Sequence, residues 1–505
     1  MIERQGCLKL PDKRGGAAFL ISLFLILVGS RAALISHAGN ATPFLDEWDG
    51  DAAYLLEPYL QGRLTVGDLL APFGEHRILF TRLLVLTIFN VSGYWDVILQ
   101  MIVNAIVNAA AVVAFSYALA RVLGGAFAVA AMIVCVAINA VPYGYDAILF
   151  GFHTQFFFLN AFSFASLWLL AGSKAWSPRW AAGVLAALAA YLSMASGAFT
   201  PGAAAAAHLL QAACGRRRGL RETLGMAALG AMTVAMLALI PHPPASGAYR
   251  AHSLGQFLSA FVQLASWPAP NALGLILFAP SALFVTRMLV ERPGLNDPRW
   301  LNLAALAWVL SQIVALAFGR AEASVQTRYI HILLVGSMIN LVSALWLFQS
   351  GATAGKRPMW RSLVLAAWLG VFALWLTQPQ RHLPKSIEEW RTITAAGANN
   401  VRHYLATGDI SFLSGAPMLQ IPYSEMGRLR ELLDTPEIRS ALPPELLPRN
   451  PPRPWVEVFK QGFMRLGFVW LGLGALILAA VIARAAFTAK RLGAYGLARG
   501  DPLAR

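Results

Sequence analysis

The sequence predicts an all-α polytopic membrane protein with about twelve transmembrane helices. Of its 505 residues, 57% are hydrophobic and only 13% are charged, whereas a soluble domain carries roughly 25% charged residues. Apolar runs of about 18 residues or more recur along the chain, and each is long enough to cross ~30 Å of hydrocarbon. Backbone groups in lipid must be satisfied within the segment, so these runs are predicted to be helices.

The predicted spans alternate in direction. They are 16–37, 94–119, 122–142, 147–171, 179–196, 200–214, 222–241, 270–290, 300–319, 329–350, 360–378 and 462–484. Every second connection is basic, as at Arg216–Arg218, and the positive-inside rule then places both termini in the cytoplasm. A cleaved signal peptide ending near Ala38 is the alternative for the first span.

Two further apolar stretches, 78–93 and 254–268, are too short and too interrupted to fit as spans. We expect them to be helices lying in the outer interface. The chain then divides into a cytoplasmic tail (1–15), a membrane module (16–378) with an outer loop (38–93), an extracytoplasmic helical lobe (379–461), a last span (462–484) and a basic cytoplasmic tail (485–505). Within the lobe, Ser386 and Glu389 form a capping-box pattern that predicts a helix start.

Charge and cysteine content exclude several classes of protein. The net charge of +15 comes from short basic connections that topology explains, so nucleic acid is not an expected partner. The three cysteines, Cys7, Cys135 and Cys214, form neither a disulfide framework nor a metal-binding motif.

Negative charge is concentrated in the first outer loop. Asp46, Glu47, Asp49 and Asp51 fall within six residues, in a chain with 25 acidic residues in total. Four carboxylates cannot lie in hydrocarbon, so we expect the loop at or above the headgroup level. A carboxylate beside an acceptor hydroxyl is the usual general base, and Arg63 or Arg77 could balance the charge. A solvated acidic loop is the alternative.

Other polar groups are predicted on the same side. Arg320, Arg328 and Tyr329 lie in an outer connection, and arginine holds phosphate through forked hydrogen bonds. A salt bridge from these arginines to Glu322, or ordinary phospholipid contact, is the alternative.

Two histidines complete the candidate set. Glu75-His76-Arg77 precedes the first interfacial helix, and His153 follows Asp146 near the start of a span. His76 could relay protons, ligate a metal or bind phosphate, although a lone histidine is more often structural. Polar groups in a span, such as His153, often line a cavity.

The layout resembles the GT-C class of membrane glycosyltransferases, in the bacterial branch related to protein O-mannosyltransferases and aminoarabinose transferases. Asp46-Glu47, Glu75-His76-Arg77 and the segment from Arg320 to Tyr329 carry the resemblance. It implies an enzyme of the bacterial inner membrane whose active site faces the periplasm. A sugar would pass with inversion from a polyprenyl phosphate to an acceptor hydroxyl on a glycan, lipid or protein.

The resemblance also implies residue roles. Asp46 or Glu47 would activate the acceptor hydroxyl, and Arg320, Arg328 and Tyr329 would hold the leaving phosphate. Asp49 and Asp51 depart from the pattern of an acidic pair, and participation of a divalent metal ion stays open. An O-antigen polymerase or ligase, relying on outer Arg and His residues, and a non-enzymatic lipid or polysaccharide transporter are the alternative functions.

Overall fold

The computed structural model describes residues 13–323, 325–350, 359–414, 417, 419–448 and 453–498. Within these residues the chain is almost entirely helical, and the antiparallel pair β1 (Pro72–Phe73) and β2 (His76–Arg77) is its β-structure. Most of the predicted tail 1–15 lies outside the described residues, as does the end of the predicted tail 485–505. The helices are α1 (Lys13–Ala38), a π-helix (Trp48–Leu56), α2 (Glu57–Leu60), α3 (Val66–Leu70), α4 (Leu79–Ser92), α5 (Val97–Ala120), α6 (Gly125–Ala140), α7 (Tyr145–Leu149), α8 (Thr154–Leu170), α9 (Pro178–Tyr191), α10 (Phe199–Ala213), α11 (Leu220–Ala238), α12 (Leu254–Ser266), α13 (Ala279–Glu291), α14 (Arg299–Gly319), α15 (Ile330–Ser350), α16 (Met359–Thr407), α17 (Met426–Asp434), α18 (Pro436–Ala441), α19 (Pro454–Arg465) and α20 (Gly467–Ala498).

Several helices are suited to a membrane. Among the described residues, eight are long and apolar enough to cross one: Gly15–Ala38, Val97–Ala120, Leu220–Ala238, Ala272–Glu291, Arg299–Gly319, Thr327–Ser350, Met359–Thr407 and Gly467–Thr488. The other four predicted spans correspond to α6, α8, α9 and α10, which have only 14 to 17 residues. The chain therefore has the character of a polytopic membrane protein, and the count of twelve stays a prediction.

Helix α15 lies at the centre of the bundle. Its apolar window is 94% buried, whereas the corresponding windows of α16 and α20 are 11% buried. Helices α5 and α14 pack around it and are buried over most of their length. A helix that is apolar all round is expected in such a position, because no side of it has to face water.

The first and last long helices pack closely through glycines. A Cβ atom at Gly29 would clash with the backbone of Leu471, and one at Gly467 would clash with that of Ala33. Gly474 is equally close to the backbone of Ser22. Small residues allow such approach between helices in membranes, where dispersion contacts replace the hydrophobic effect.

Helix α16 differs from its prediction. We expected a span ending at 378 and a new helix opening at Ser386, but one helix continues through Pro379 and Pro384. A proline removes one backbone hydrogen bond and disfavours helix in the preceding residue. Leu383 and Ile387 are nevertheless buried on either side of the expected start, so packing outweighs the local signal here.

The predicted span 147–171 is interrupted near its start. Helix α7 ends at Leu149 and α8 begins at Thr154, with a short 3-10 turn between them. Gln100 and Asn104 of α5 donate hydrogen bonds to the carbonyl oxygen of Gly151, at 2.9 and 3.1 Å. These buried amides hold the turn, and the turn places Phe152 beside the acidic segment (residues 46–51).

Candidate active site

The acidic segment is a helix rather than a solvated loop. Asp46 and Glu47 lead into the π-helix Trp48–Leu56, a rare form that occurs frequently at functional sites. Trp48 is fully buried, packs edge-to-face on Trp95 at 5.4 Å, and donates its indole N–H to the carbonyl of Pro43 at 3.0 Å. The four neighbouring carboxylates are therefore held in fixed and different surroundings.

Glu47 is an internal anchor. Its side chain is fully buried, and its two oxygens accept the backbone N–H groups of Phe44 (2.7 Å) and Phe152 (3.0 Å). Burial and the nearby charge of Asp51 raise its pKa, while the two N–H donors act in the opposite direction. Because both oxygens are engaged with the backbone, Glu47 is poorly placed to accept a proton from a ligand.

Asp46 is the accessible carboxylate of the pair. It is exposed, and among the described residues it makes no ion pair within 4 Å. The surrounding protein partly desolvates it, which raises its pKa; the charge of Arg328 lowers that pKa and the charge of Asp49 raises it. Asp46 therefore combines access to solvent with an environment that makes it a better proton acceptor than an ordinary surface aspartate.

Asp49 joins the π-helix to the lobe formed by residues 379–461, called the late lobe below. Its Oδ1 accepts a hydrogen bond from Nε of Arg428 at 3.1 Å, and its Oδ2 accepts one from the hydroxyl of Tyr423. Nearby, the N–H of Leu45 donates to the carbonyl of Pro422 at 2.7 Å. The residues 422–428 are thus fixed against the acidic segment by both side-chain and backbone bonds.

Asp51 is buried without a hydrogen-bond partner. Neither of its oxygens has one in the described chain, and the residue is fully buried. Burial raises its pKa to about 8, with the charge of Arg82 lowering it and that of Asp46 raising it. Near neutral pH most Asp51 side chains are therefore protonated.

The carboxylate of Glu75 forms ion pairs with two arginines. Its Oε2 lies 3.0 Å from Nη2 of Arg320, and its Oε1 lies 3.5 Å from Nη2 of Arg250. Burial raises the pKa of Glu75, but Arg320 and a hydrogen bond from Ser246 outweigh it and the net pKa is lowered. Arg320 also shares a hydrogen bond with Tyr329, so most of its binding capacity is used within the protein.

Arg328 lies between the acidic segment and the histidines. Its charge acts on Asp46, Asp146, His76 and His153. Its Nε has no hydrogen-bond partner, and no carboxylate of the described residues lies within 4 Å of it. Arg328 is thus a guanidinium whose charge acts on Asp46 and which has no carboxylate partner among the described residues.

Tyr329 and the two histidines surround Arg328. Tyr329 is buried, with its ring 5.2 Å from the Arg328 guanidinium and 6.0 Å from the Phe156 ring. Burial and the positive charge of Arg320 hold the pKa of His76 below its usual range, so its imidazole is neutral at pH 7. His153 is buried between Phe150 and Phe156, at 4.5 and 5.2 Å.

Arg77 and Arg63 lie away from this group. Arg77 donates to the carbonyl of Leu70 at 2.9 Å, and Arg63 pairs with Glu57 at 3.3 Å. The expectation that Arg63 or Arg77 balances the acidic segment is therefore wrong. The balancing residues are Arg328, Arg428 and Arg82, which no local sequence pattern links to the acids.

The described residues include no group of three or more His, Cys, Asp or Glu side chains that could hold a metal ion. The acidic side chains near Arg328 are engaged otherwise: Glu47 with the backbone and Glu75 with two arginines. These side chains do not fit a divalent metal ion with protein ligands alone.

No family model matches this chain. Neither the comparison with curated proteins nor that with solved structures gives a significant match.

Proposed function

We propose that this chain is an integral membrane glycosyltransferase that moves a sugar from a polyprenyl phosphate to an acceptor hydroxyl. One observation carries the proposal: the charge of Arg328 acts on the accessible carboxylate of Asp46, and Arg328 has no carboxylate within 4 Å among the described residues. Transfer from a sugar phosphate needs a proton acceptor on one side of the anomeric carbon and a cation on the other. Asp46 and Arg328 supply these two groups.

In the proposed reaction the acceptor oxygen attacks the anomeric carbon from the side opposite the phosphate. The new C–O bond forms as the bond to the phosphate oxygen breaks, so the configuration inverts. Asp46 takes the hydroxyl proton, and the leaving phosphate keeps the electron pair and gains negative charge. Arg328 stabilises that charge, while Glu75 holds Arg320 in place beside it.

The roles of the candidates differ under this proposal. Asp46 is the base, because Glu47 has both oxygens bonded to the backbone. Arg328 ranks ahead of Arg320 for the phosphate, because Arg320 is paired with Glu75. His76 and Tyr329 are positioning residues around Arg328. His153, which shares a hydrogen bond with the carbonyl of Asp146, belongs to the same group.

The orientation is part of the proposal. Twelve spans with cytoplasmic termini would place the acidic segment and Arg328 on the periplasmic side of a bacterial inner membrane. A donor carried by a polyprenyl chain would reach them laterally from the lipid. The acceptor would be a glycan, lipid or protein of the cell envelope.

Mass spectrometry of envelope glycans tests the proposal. A strain lacking the protein should lose a sugar modification, and wild-type protein should restore it. Asp46→Asn should not restore it, whereas the exposed Glu445→Gln should, at matched protein levels. An unchanged glycan profile in the deletion strain would overturn the transferase. Restoration by Asp46→Asn would instead favour a transporter, or a polymerase that relies on Arg and His.

A further inference from the structure

A cavity lies beside the π-helix, and neither Asp46 nor Arg328 is among its lining residues. It has a volume of about 220 Å³. Pockets that enclose drug-sized ligands have about 300–1,000 Å³, so this cavity has room for a single small ring. Its lining residues come from the π-helix, α2, α3, the following strand and α4: Ala53, Tyr54, Pro58, Arg63, Asp68, Ala71, Pro72 and Arg82.

The lining combines a flat apolar face with hydrogen-bonding groups. Tyr54 is 53% exposed, and its ring lies 6.3 Å from that of Phe73 in a tilted arrangement. Pro58 and Pro72 add rigid apolar surface. Asp68 uses Oδ2 to accept two bonds from Thr65 (2.8 and 2.7 Å), and its Oδ1 accepts none among the described residues.

Arg82 contributes a rigid, buried donor. It is 1% exposed, and its Nη1 donates to the carbonyls of Asp68, Leu69 and Ala71 at 2.8, 3.1 and 2.5 Å. Its Nε has no partner in the described chain. The bonds to the three carbonyls hold the guanidinium rigidly in the wall of the cavity.

These features favour a neutral polyhydroxylated ring over a phosphate. The carboxylate of Asp68 in the wall would repel an anion, and the Nη1 donors of Arg82 are already bonded to backbone carbonyls. A sugar ring presents C–H groups to an aromatic face, and its hydroxyls both donate and accept hydrogen bonds. Tyr54 and the prolines match the first property, and Asp68 with Arg63 and Arg82 matches the second.

We propose that this cavity binds one pyranose ring of the glycan acceptor, other than the ring that reacts. Asp46 is not among its lining residues, so the reacting hydroxyl lies elsewhere. The cavity and Asp46 lie near each other, because the charges of both Asp46 and Arg82 act on the carboxyl of Asp51. The assignment as an acceptor subsite rests on the proposed transferase function, whereas sugar binding at Tyr54 does not.

Saturation-transfer difference NMR on the full-length protein in nanodiscs tests the binding. The probes are the methyl glycosides of glucose, galactose, mannose and N-acetylglucosamine, with glycerol phosphate and phosphoethanolamine as anionic comparisons. At least one glycoside should bind wild-type protein, and Tyr54→Ala should weaken it roughly fivefold through loss of the aromatic face. Tyr54→Phe should retain binding, and Tyr117→Ala, an exposed tyrosine of α5, should have no effect.

Two outcomes would overturn the subsite. One is that no glycoside gives a signal that depends on Tyr54; the other is that only the phosphates bind. If transfer activity is established, Tyr54→Ala should raise the acceptor KM several-fold and leave kcat unchanged, and an unchanged KM would contradict the acceptor role. Glycoside binding that depends on Tyr54 in a protein without transfer activity would overturn the transferase and leave the sugar site standing.

Discussion

Arg328 lies close enough to Asp46 for its charge to lower the pKa of that carboxyl, although the two residues belong to distant parts of the chain. Asp46 precedes the π-helix after the first long helix, and Arg328 precedes the central helix α15. The two residues therefore bring the acidic segment (residues 46–51) and the connection from Arg320 to Tyr329 together in one candidate site.

The pH dependence of transfer should report this pairing. The rate should rise with pH through the pKa of Asp46, because the base must be deprotonated. Arg328→Ala removes the charge that lowers this pKa, so the acidic limb should move to higher pH as the maximal rate falls. Initial rates with a fluorescent polyprenyl-phosphate sugar measure both effects. Arg402→Ala, an exposed arginine of α16, should leave the limb in place; an unshifted limb in Arg328→Ala would contradict the pairing.

Substitutions of Asp46 and Glu47 should have different effects: the first should lower activity and the second should lower stability. Asp46→Asn should lower the rate by about 10²–10⁴-fold, the usual contribution of a general base, with little change in thermal unfolding. Glu47→Gln should lower the free energy of unfolding by about 1–3 kcal/mol, because its amide N–H₂ would face a backbone donor. Rates and melting curves of both variants in the same detergent measure this. The assignment fails if Glu47→Gln melts like wild type and is inactive.

The bond between Asp49 and Arg428 should hold the late lobe. The two side chains are 19% and 29% exposed, so the coupling free energy in a double-mutant cycle should be about 1 kcal/mol. Asp49→Ala and Arg428→Ala should each increase proteolytic cleavage near 414–425. Arg430→Ala, which disrupts an exposed pair with Asp434 and leaves the bond between Asp49 and Arg428 intact, is the matched control. Equal cleavage in all three variants would mean that the lobe is held by other contacts.

Asp51 should make stability depend on pH. Its folded pKa, about 8, lies above the ordinary value of 3.8, so the folded state holds a proton that the unfolded state releases. The contribution of Asp51 is fully present below pH ~4 and is lost as the pH rises to 8. Asp51→Asn should flatten this dependence and raise the melting temperature at pH 8 by several degrees.

Tryptophan fluorescence melts at pH 5 and pH 8 measure the effect of Asp51. Glu445→Gln, at an exposed position of the lobe, should behave like wild type at both pH values. If wild type and Asp51→Asn lose stability in parallel between pH 5 and pH 8, the buried carboxyl is not the source of the dependence.

Hydropathy predicted the positions of the apolar helices well, whereas the capping pattern at Ser386 did not predict where a helix begins. The helices α4 (Leu79–Ser92) and α12 (Leu254–Ser266) match the expected short stretches 78–93 and 254–268 within two residues. The capping box at Ser386 failed, because burial along α16 outweighs a local hydrogen-bond pattern. The π-helix was not predicted, since it depends on Trp48 and Gly50 packing against Trp95 and Phe152.

The sequence was enough to predict which residues belong to the candidate site, but not what each of them does there. Asp46 and Glu47 stand out because acidic residues are scarce in this chain, and the arginines near Tyr329 stand out because the predicted topology places them outside, against the positive-inside rule. The difference between Asp46 and Glu47 depends on the backbone N–H of Phe152, far along the sequence. The place of Asp49 depends in the same way on Arg428, which no periodicity connects to it.

The glycine contacts between α1 and α20 have a consequence for biogenesis. Helix α1 is synthesised long before α20. The face of α1 that carries Gly29 therefore lacks its partner during most of translation. The final partner of that face is the last long helix of the chain. This helix pair can therefore form only after α20 has been synthesised, and a product truncated before α20 would leave the glycine-bearing face without its partner.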